Sequence, residues 1–181
     1  MSEAVCYLKK EIWCKSKQLA NRAESKKKQF KILIVDDDIN IASTFGEILE
    51  YRGHDVTIVN EGIKCISKCQ YNHYDIIFMD FHLTDDEEKY DETNGAEVTD
   101  LLKTVCSVDS IVIAITGDNS CNAINKFKEV GMCGALIKPF CIDTINKLME
   151  LLESIKEIFI EKNSNILKKI NNKLTTNLIV F

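Results

Sequence analysis

Lys31-Ile-Leu-Ile-Val-Asp-Asp-Asp38 is the stretch that decides the fold. An unbroken apolar run, rich in β-branched side chains, ends abruptly in three carboxylates. A strand with one wet face would alternate apolar and polar residues, so a continuous run suits a strand covered on both faces, as in a parallel α/β sheet. Counted from Phe30, this first run is followed by four more: Asp55–Val59, Ile76–Met79, Ile111–Ile115 and Ala135–Ile137. Between them, Ile39–Tyr51, Gly62–Tyr71, Ala96–Val105, Cys121–Val130 and Ile142–Ile160 carry apolar residues at helical spacing. The predicted order is therefore (βα)5, a doubly wound five-stranded parallel sheet.

Punctuation agrees with that division. Asp38 and the stretch from Asp118 to Ser120 are expected N-caps, while Gly53 and Gly131 fall where helices should end. The unit spans residues 30–160. Residues 1–29 are basic and are expected to form a helical extension with Val5, Leu8, Ile12 and Leu19 along one side. Residues 161–181 are expected to prolong a helical stripe through Ile166, Ile170, Leu174 and Leu178. Terminal helices of this kind offer a surface for homodimer formation.

A chain of 181 residues can bury a full core, and its 45% hydrophobic and 28% charged residues are ordinary for a globular protein. A net charge of −5 gives no overall case for nucleic-acid binding, so direct DNA binding is not expected. No apolar run is long enough for a membrane span, and Met-Ser-Glu opens no secretory signal. The eight cysteines fall largely in periodic apolar segments and are read as reduced thiols of a cytoplasmic protein. Cys65, Cys69 and His73 share a four-residue spacing that could line up soft-metal ligands on a helix, but three ligands without a second cluster read better as incidental helix residues.

In an open parallel sheet, ligands bind beyond the carboxyl ends of the strands. Here four of those ends carry chemistry: Asp36 and Asp37 after the first strand, Asp80 after the third, Thr116 after the fourth, and Lys138 after the fifth. Carboxylates gathered so closely resist joint ionisation unless a cation neutralises them. Oxygen-only ligands favour magnesium over zinc, so Mg2+ is the expected cofactor. Beside such an ion Asp80 is placed to act as a nucleophile toward phosphorus, with Lys138 and Thr116 contacting the transferred oxygens. Taken singly, each residue would read as a cap or a turn; the ordered set does not.

Four strings resemble the receiver domain of two-component response regulators: Lys31 to Asp38, Tyr74-Asp-Ile-Ile-Phe-Met-Asp80, Ile113-Ala-Ile-Thr-Gly117 and Leu136-Ile-Lys-Pro-Phe140. The resemblance implies a flavodoxin-like sheet of order 2-1-3-4-5. It also implies phosphorelay chemistry, with a phosphoryl group passing from a histidine kinase or a histidine phosphotransfer protein to Asp80. Asp37 would then bind magnesium directly, Asp36 largely through water, and the backbone carbonyl of His82 would complete the protein ligands. Thr116 would follow the phosphoryl group, Lys138 would pair with it, and the Lys138–Pro139 bond would be cis. The chain would not be an enzyme in the ordinary sense, since its own catalysis stops at accepting and losing the phosphoryl group. Signalling would pass by protein contact to a partner that the sequence does not name.

The chain departs from the family pattern in three places. Leu83-Thr84 replaces the usual Met-Pro turn, and Gly95 lies fifteen residues beyond Asp80 rather than about eight. The acidic segment Asp85–Glu92 fills the difference. The aromatic switch position falls on Ala135, and His82 and Asp118 occupy variable positions that influence phosphoryl lifetime. Two rival readings follow: a degenerate receiver that binds partners without phosphorylation, and a phosphohydrolase of the haloacid-dehalogenase type built on Asp36-x-Asp38-x-Asn40.

Overall fold

The computed structural model describes residues 29–83, 94–161 and 178–180. In chain order the elements are β1 (Lys31–Val35), α1 (Ile39–Tyr51), β2 (Asp55–Val59), α2 (Gly62–Tyr71), β3 (Ile76–Asp80), α3 (Gly95–Thr104), β4 (Ile111–Thr116), α4 (Cys121–Glu129), β5 (Gly134–Ile137), α5 (Ile142–Glu161) and β6 (Leu178–Val180). The first five strands are parallel in the order 2-1-3-4-5, as the resemblance implies.

Each central strand sends alternate residues to opposite faces, and each face has its own core. Ile32 and Ile34 of β1, Ile76 and Phe78 of β3, and Ile113 and Ile115 of β4 pack with Phe45 and Leu49 of α1 and Ile145, Leu148 and Met149 of α5. Leu33, Val35, Ile77, Met79, Val112 and Ala114 point the other way, toward Cys65 of α2, Val98 and Leu102 of α3, and Phe127 of α4. Helices on both sides explain why the strands read as unbroken apolar runs. The expected caps are present: Asp38 accepts from the N–H groups of Asn40 and Ile41, and Ser120 accepts from that of Ala123. Gly53 and Gly131 end α1 and α4 at φ of 91° and 80°, a conformation that disfavours any side chain.

The far end of the chain corrects one expectation. Leu178 was placed on a helical stripe, yet Leu178–Val180 is a strand, antiparallel to β5, with Leu178 opposite Leu136 and Val180 opposite Gly134. Leu-Ile-Val favours extended backbone, and β5 would otherwise end the sheet with an unpaired row of peptide groups. At Leu178, tertiary pairing thus outweighs the helical period. The expected basic helix of residues 1–29 falls almost wholly outside the described residues, as does the stripe through Ile166, Ile170 and Leu174.

Candidate functional site

β1 lies between β2 and β3, so successive connections leave it in opposite directions and a crevice opens beyond its carboxyl end. The register of Val35 with Met79 sets the next residues, Asp36 and Asp80, side by side across that crevice. Carboxylate oxygens of Asp36, Asp37 and Asp80 all lie within 4.8 Å of one another, the one group of metal-ligating type found among the described residues. Asp36 and Asp80 are buried, and Asp37 is the least buried of the three.

Lys138 reaches this cluster from the end of β5. Its ammonium is 2.8 Å from Oδ2 of Asp80 and 2.9 Å from Oδ2 of Asp36. The Lys138 N–H donates to the Thr116 carbonyl at 2.7 Å, which continues the β4–β5 ladder and fixes where the side chain starts. The Lys138–Pro139 bond is cis, as the resemblance implies. Thr116 ends β4 fully buried, and its hydroxyl oxygen accepts the N–H of Asp118 at 3.0 Å. That contact leaves the hydroxyl proton available for donation.

The charges shift one another. Burial pushes the Asp36 carboxyl up to about 6, helped by the neighbouring Asp80 charge and opposed by Lys138. Burial alone would lower the Lys138 ammonium, but its contacts with Asp80 and Asp36 outweigh that and hold it above its ordinary range. Two carboxylates and one ammonium leave a negative surplus. Oδ2 of Asp36 is fully buried and accepts no well-aligned hydrogen bond; the Lys138 ion pair is its contact. A buried carboxylate oxygen left in that state is costly, and a divalent cation would relieve it. The oxygen-only donor set therefore fits magnesium.

Between residues 83 and 94 the chain passes outside the described residues, and with it the acidic segment Asp85–Glu92. It returns at a closely fixed point. The Gly95 N–H donates to the Phe81 carbonyl at 3.0 Å, and a Cβ on Gly95 would sit 1.9 Å from the Asp80 carbonyl oxygen. Gly95 lies fifteen residues beyond Asp80 in sequence, yet in space it lies against the backbone of Asp80. The signal was present nearby, since Asn94 and Glu97 make an N-terminal cap, with Asn94 accepting the Glu97 N–H at 3.0 Å.

Residues 32–152 match the family model described as the response regulator receiver domain. The chain belongs to that family. Among curated proteins the receiver is 26% identical over 121 residues to Transcription factor SKN7 of Candida albicans, covering 67% of this chain and 20% of that protein. It is 27% identical over 123 residues to the Autoinducer 2 sensor kinase/phosphatase LuxQ of Vibrio cholerae, 68% of this chain and 14% of that one. The chain thus spans a fifth or less of these relatives. Solved structures of receiver size are covered almost whole: CheY4, a chemotaxis response regulator of Vibrio cholerae, is 24% identical with TM-score 0.61 over 69% of this chain and 99% of that one. A CheY-like receiver domain protein of Methanospirillum hungatei gives 24% and 0.61 over 72% and 98%. These likenesses carry the fold.

Receiver domains bind magnesium in an acidic pocket of this kind. Every side chain singled out at the strand ends is brought to the same end of the sheet. His82 follows the site, its N–H reaching toward Oδ1 of Asp80 at 3.4 Å, and its ring is exposed against Phe81. Asp38, which the phosphohydrolase reading needs as a second acid, is spent on capping α1. His73 lies beyond the end of α2, so the row of Cys65, Cys69 and His73 does not form. No helix among the described residues is long and apolar enough to cross a membrane.

Proposed function

We propose that this receiver accepts a phosphoryl group onto Asp80 from a phosphohistidine of a histidine kinase or histidine phosphotransfer protein. A carboxylate oxygen of Asp80 forms the new bond to phosphorus as the P–N bond to the donor imidazole breaks. The imidazole leaves with that electron pair and takes a proton, and an acyl phosphate remains on Asp80. The observation that carries the reading is the Lys138 ammonium held between Asp36 and Asp80, a fixed positive charge beside the nucleophile. Thr116 offers its hydroxyl proton to a phosphoryl oxygen. Asp36, Asp37 and Asp80, with the backbone carbonyl of His82, would hold magnesium, which when bound neutralises the charge on the carboxylates and the incoming group.

On this reading the chain is a signalling or relay module and not a turnover enzyme. It signals by protein contact in the cytoplasm, a compartment that suits the free thiols among its described cysteines. Intact mass after incubation with acetyl phosphate and magnesium tests it. One added phosphoryl group, absent with chelator and absent in Asp80→Asn, is the expected result. An unmodified mass with every donor, including a phosphorylated histidine phosphotransfer protein, would overturn it in favour of a receiver that binds without phosphorylation.

A further inference from the structure

β5 is the shortest strand of the parallel sheet, four buried residues, and Lys138 follows directly on its end. On its inner edge it pairs with β4, Thr116 standing opposite Ile137, and the Lys138 N–H extends that ladder to the Thr116 carbonyl. On its outer edge it pairs with β6, with Leu136 opposite Leu178, Ala135 opposite Ile179 and Gly134 opposite Val180. β6 therefore grips β5 within two residues of the lysine that touches both Asp36 and Asp80. The grip is light, because the hydrogen bonds of so short a ladder are largely offset by the entropy of ordering the residues that make it.

Strand order gives that grip a direction. β1 and β3, at whose ends Asp36 and Asp80 stand, lie on the β4 side of β5, and β6 lies on the other side. A pull on the end of β5 toward the site is a pull away from β6.

We propose that β6 is a strap released by phosphorylation: phosphoryl uptake on Asp80 draws Lys138 and Thr116, and β5 with them, toward the site and loosens the pairing of residues 178–180. The inference rests on Asp80 being the phosphoacceptor. Before uptake one ammonium serves two carboxylate oxygens, at 2.8 Å on Asp80 and 2.9 Å on Asp36. An acyl phosphate makes the Asp80 carboxylate a neutral acyl group and carries its charge outward onto the phosphoryl oxygens. The ammonium then gains a more highly charged partner, and Thr116 donates its hydroxyl proton to the same group. Both contacts pull on one point, since the Lys138 N–H and the Thr116 carbonyl hold the ends of β5 and β4 together at 2.7 Å. The coupling is reciprocal: a strap that lets go when the phosphoryl group binds must, once broken, favour its binding.

Hydrogen exchange of the full chain with magnesium and beryllofluoride, a non-covalent mimic of the phosphoryl group, tests this. Amides of residues 178–180 should exchange several-fold faster with the mimic bound. The double variant Ile179→Pro/Val180→Pro breaks the strap from the other end: successive amides of a strand point to opposite edges, so one of the two prolines removes a ladder donor. That variant should bind the mimic more tightly by up to the same factor, read from the bound signal in fluorine NMR. A strand that only covers the sheet edge would protect its amides equally with and without the mimic, and its loss would leave the affinity unchanged. Either of those results, or slower exchange on binding, would overturn this proposal alone. Absence of any bound fluoride signal in the native chain would overturn the phosphoryl reading of Asp80 as well.

Discussion

Two connections leave the candidate site in different ways. From β3, the chain passes Asp80 and Phe81, goes beyond the described residues, and returns at Gly95. From β4, it passes Thr116 and enters α4 within five residues through a relay of hydrogen bonds: Asp118 N–H to Thr116 Oγ1, Ser120 N–H to Asp118 Oδ1, Ala123 N–H to Ser120 Oγ. The first connection is fixed by exclusion, because Gly95 leaves no room for even a methyl group against Asp80. The second is fixed by polar side chains that each satisfy a particular donor. Steric exclusion tolerates no substitution at one residue and places few demands on its neighbours; a relay spreads its demands over several residues, each individually replaceable at modest cost.

The largest effect should come from the sterically fixed connection. Gly95→Ala must push a Cβ through the Asp80 carbonyl oxygen, so a loss of roughly 3 kcal/mol or more in urea unfolding is expected, together with failure to take up phosphoryl from acetyl phosphate. Near-normal stability in that variant would mean the connection adapts and the contrast is false.

Next in size is the effect of pH on the buried carboxylate of Asp36, at the end of β1. The folded Asp36 carboxyl holds its proton up to about pH 6, against 3.8 for the ordinary group. Between those values the folded state binds more protons than the unfolded one, so the contribution of Asp36 to metal-free stability falls as pH rises through that window, by roughly 3 kcal/mol in all. Urea titrations from pH 4 to pH 7 with chelator should show that fall in the native chain and a flatter profile in Asp36→Asn. Millimolar magnesium should restore native stability at pH 7 and leave Asp36→Asn nearly unchanged. Parallel profiles would show that Asp36 stays ionised throughout.

Smaller effects belong to the relay. Thr116→Val keeps the shape but removes the acceptor for the Asp118 N–H, with an expected cost of about 1 kcal/mol. Its uptake of phosphoryl should slow by about tenfold, read as the rate of mass gain. Ser120→Ala removes the cap of α4 at a cost of about 1 kcal/mol or less, with uptake within about twofold of native. A larger stability loss for Ser120→Ala than for Thr116→Val would place the anchor of this connection at the cap and not at the site.

The same contrast separates what was legible in the sequence from what was not. Asp38 and Ser120 announce their caps by residue type and place, and Asp36, Asp80, Thr116 and Lys138 each follow directly on an apolar run, so the strand ends and their chemistry could be read in order. The role of Gly95 could not, since a close approach between residues fifteen apart depends on packing that local spacing does not encode. Leu178–Val180 was misread for a related reason. Leu178 fits the period of the stripe through Ile166, Ile170 and Leu174, and the open edge of β5 that makes a strand more favourable exists only once the sheet is assembled.

The clamp at Gly95 turns the neighbouring stretch into a graft site. Leu83 is buried on one side and the Asn94 cap holds the other, so the ends of the segment between them stay put whatever its length. Closing a loop three times longer costs only about 1 kcal/mol in chain entropy. Nature or an engineer can therefore lengthen residues 84–93, or change their charge, at a modest cost in chain entropy.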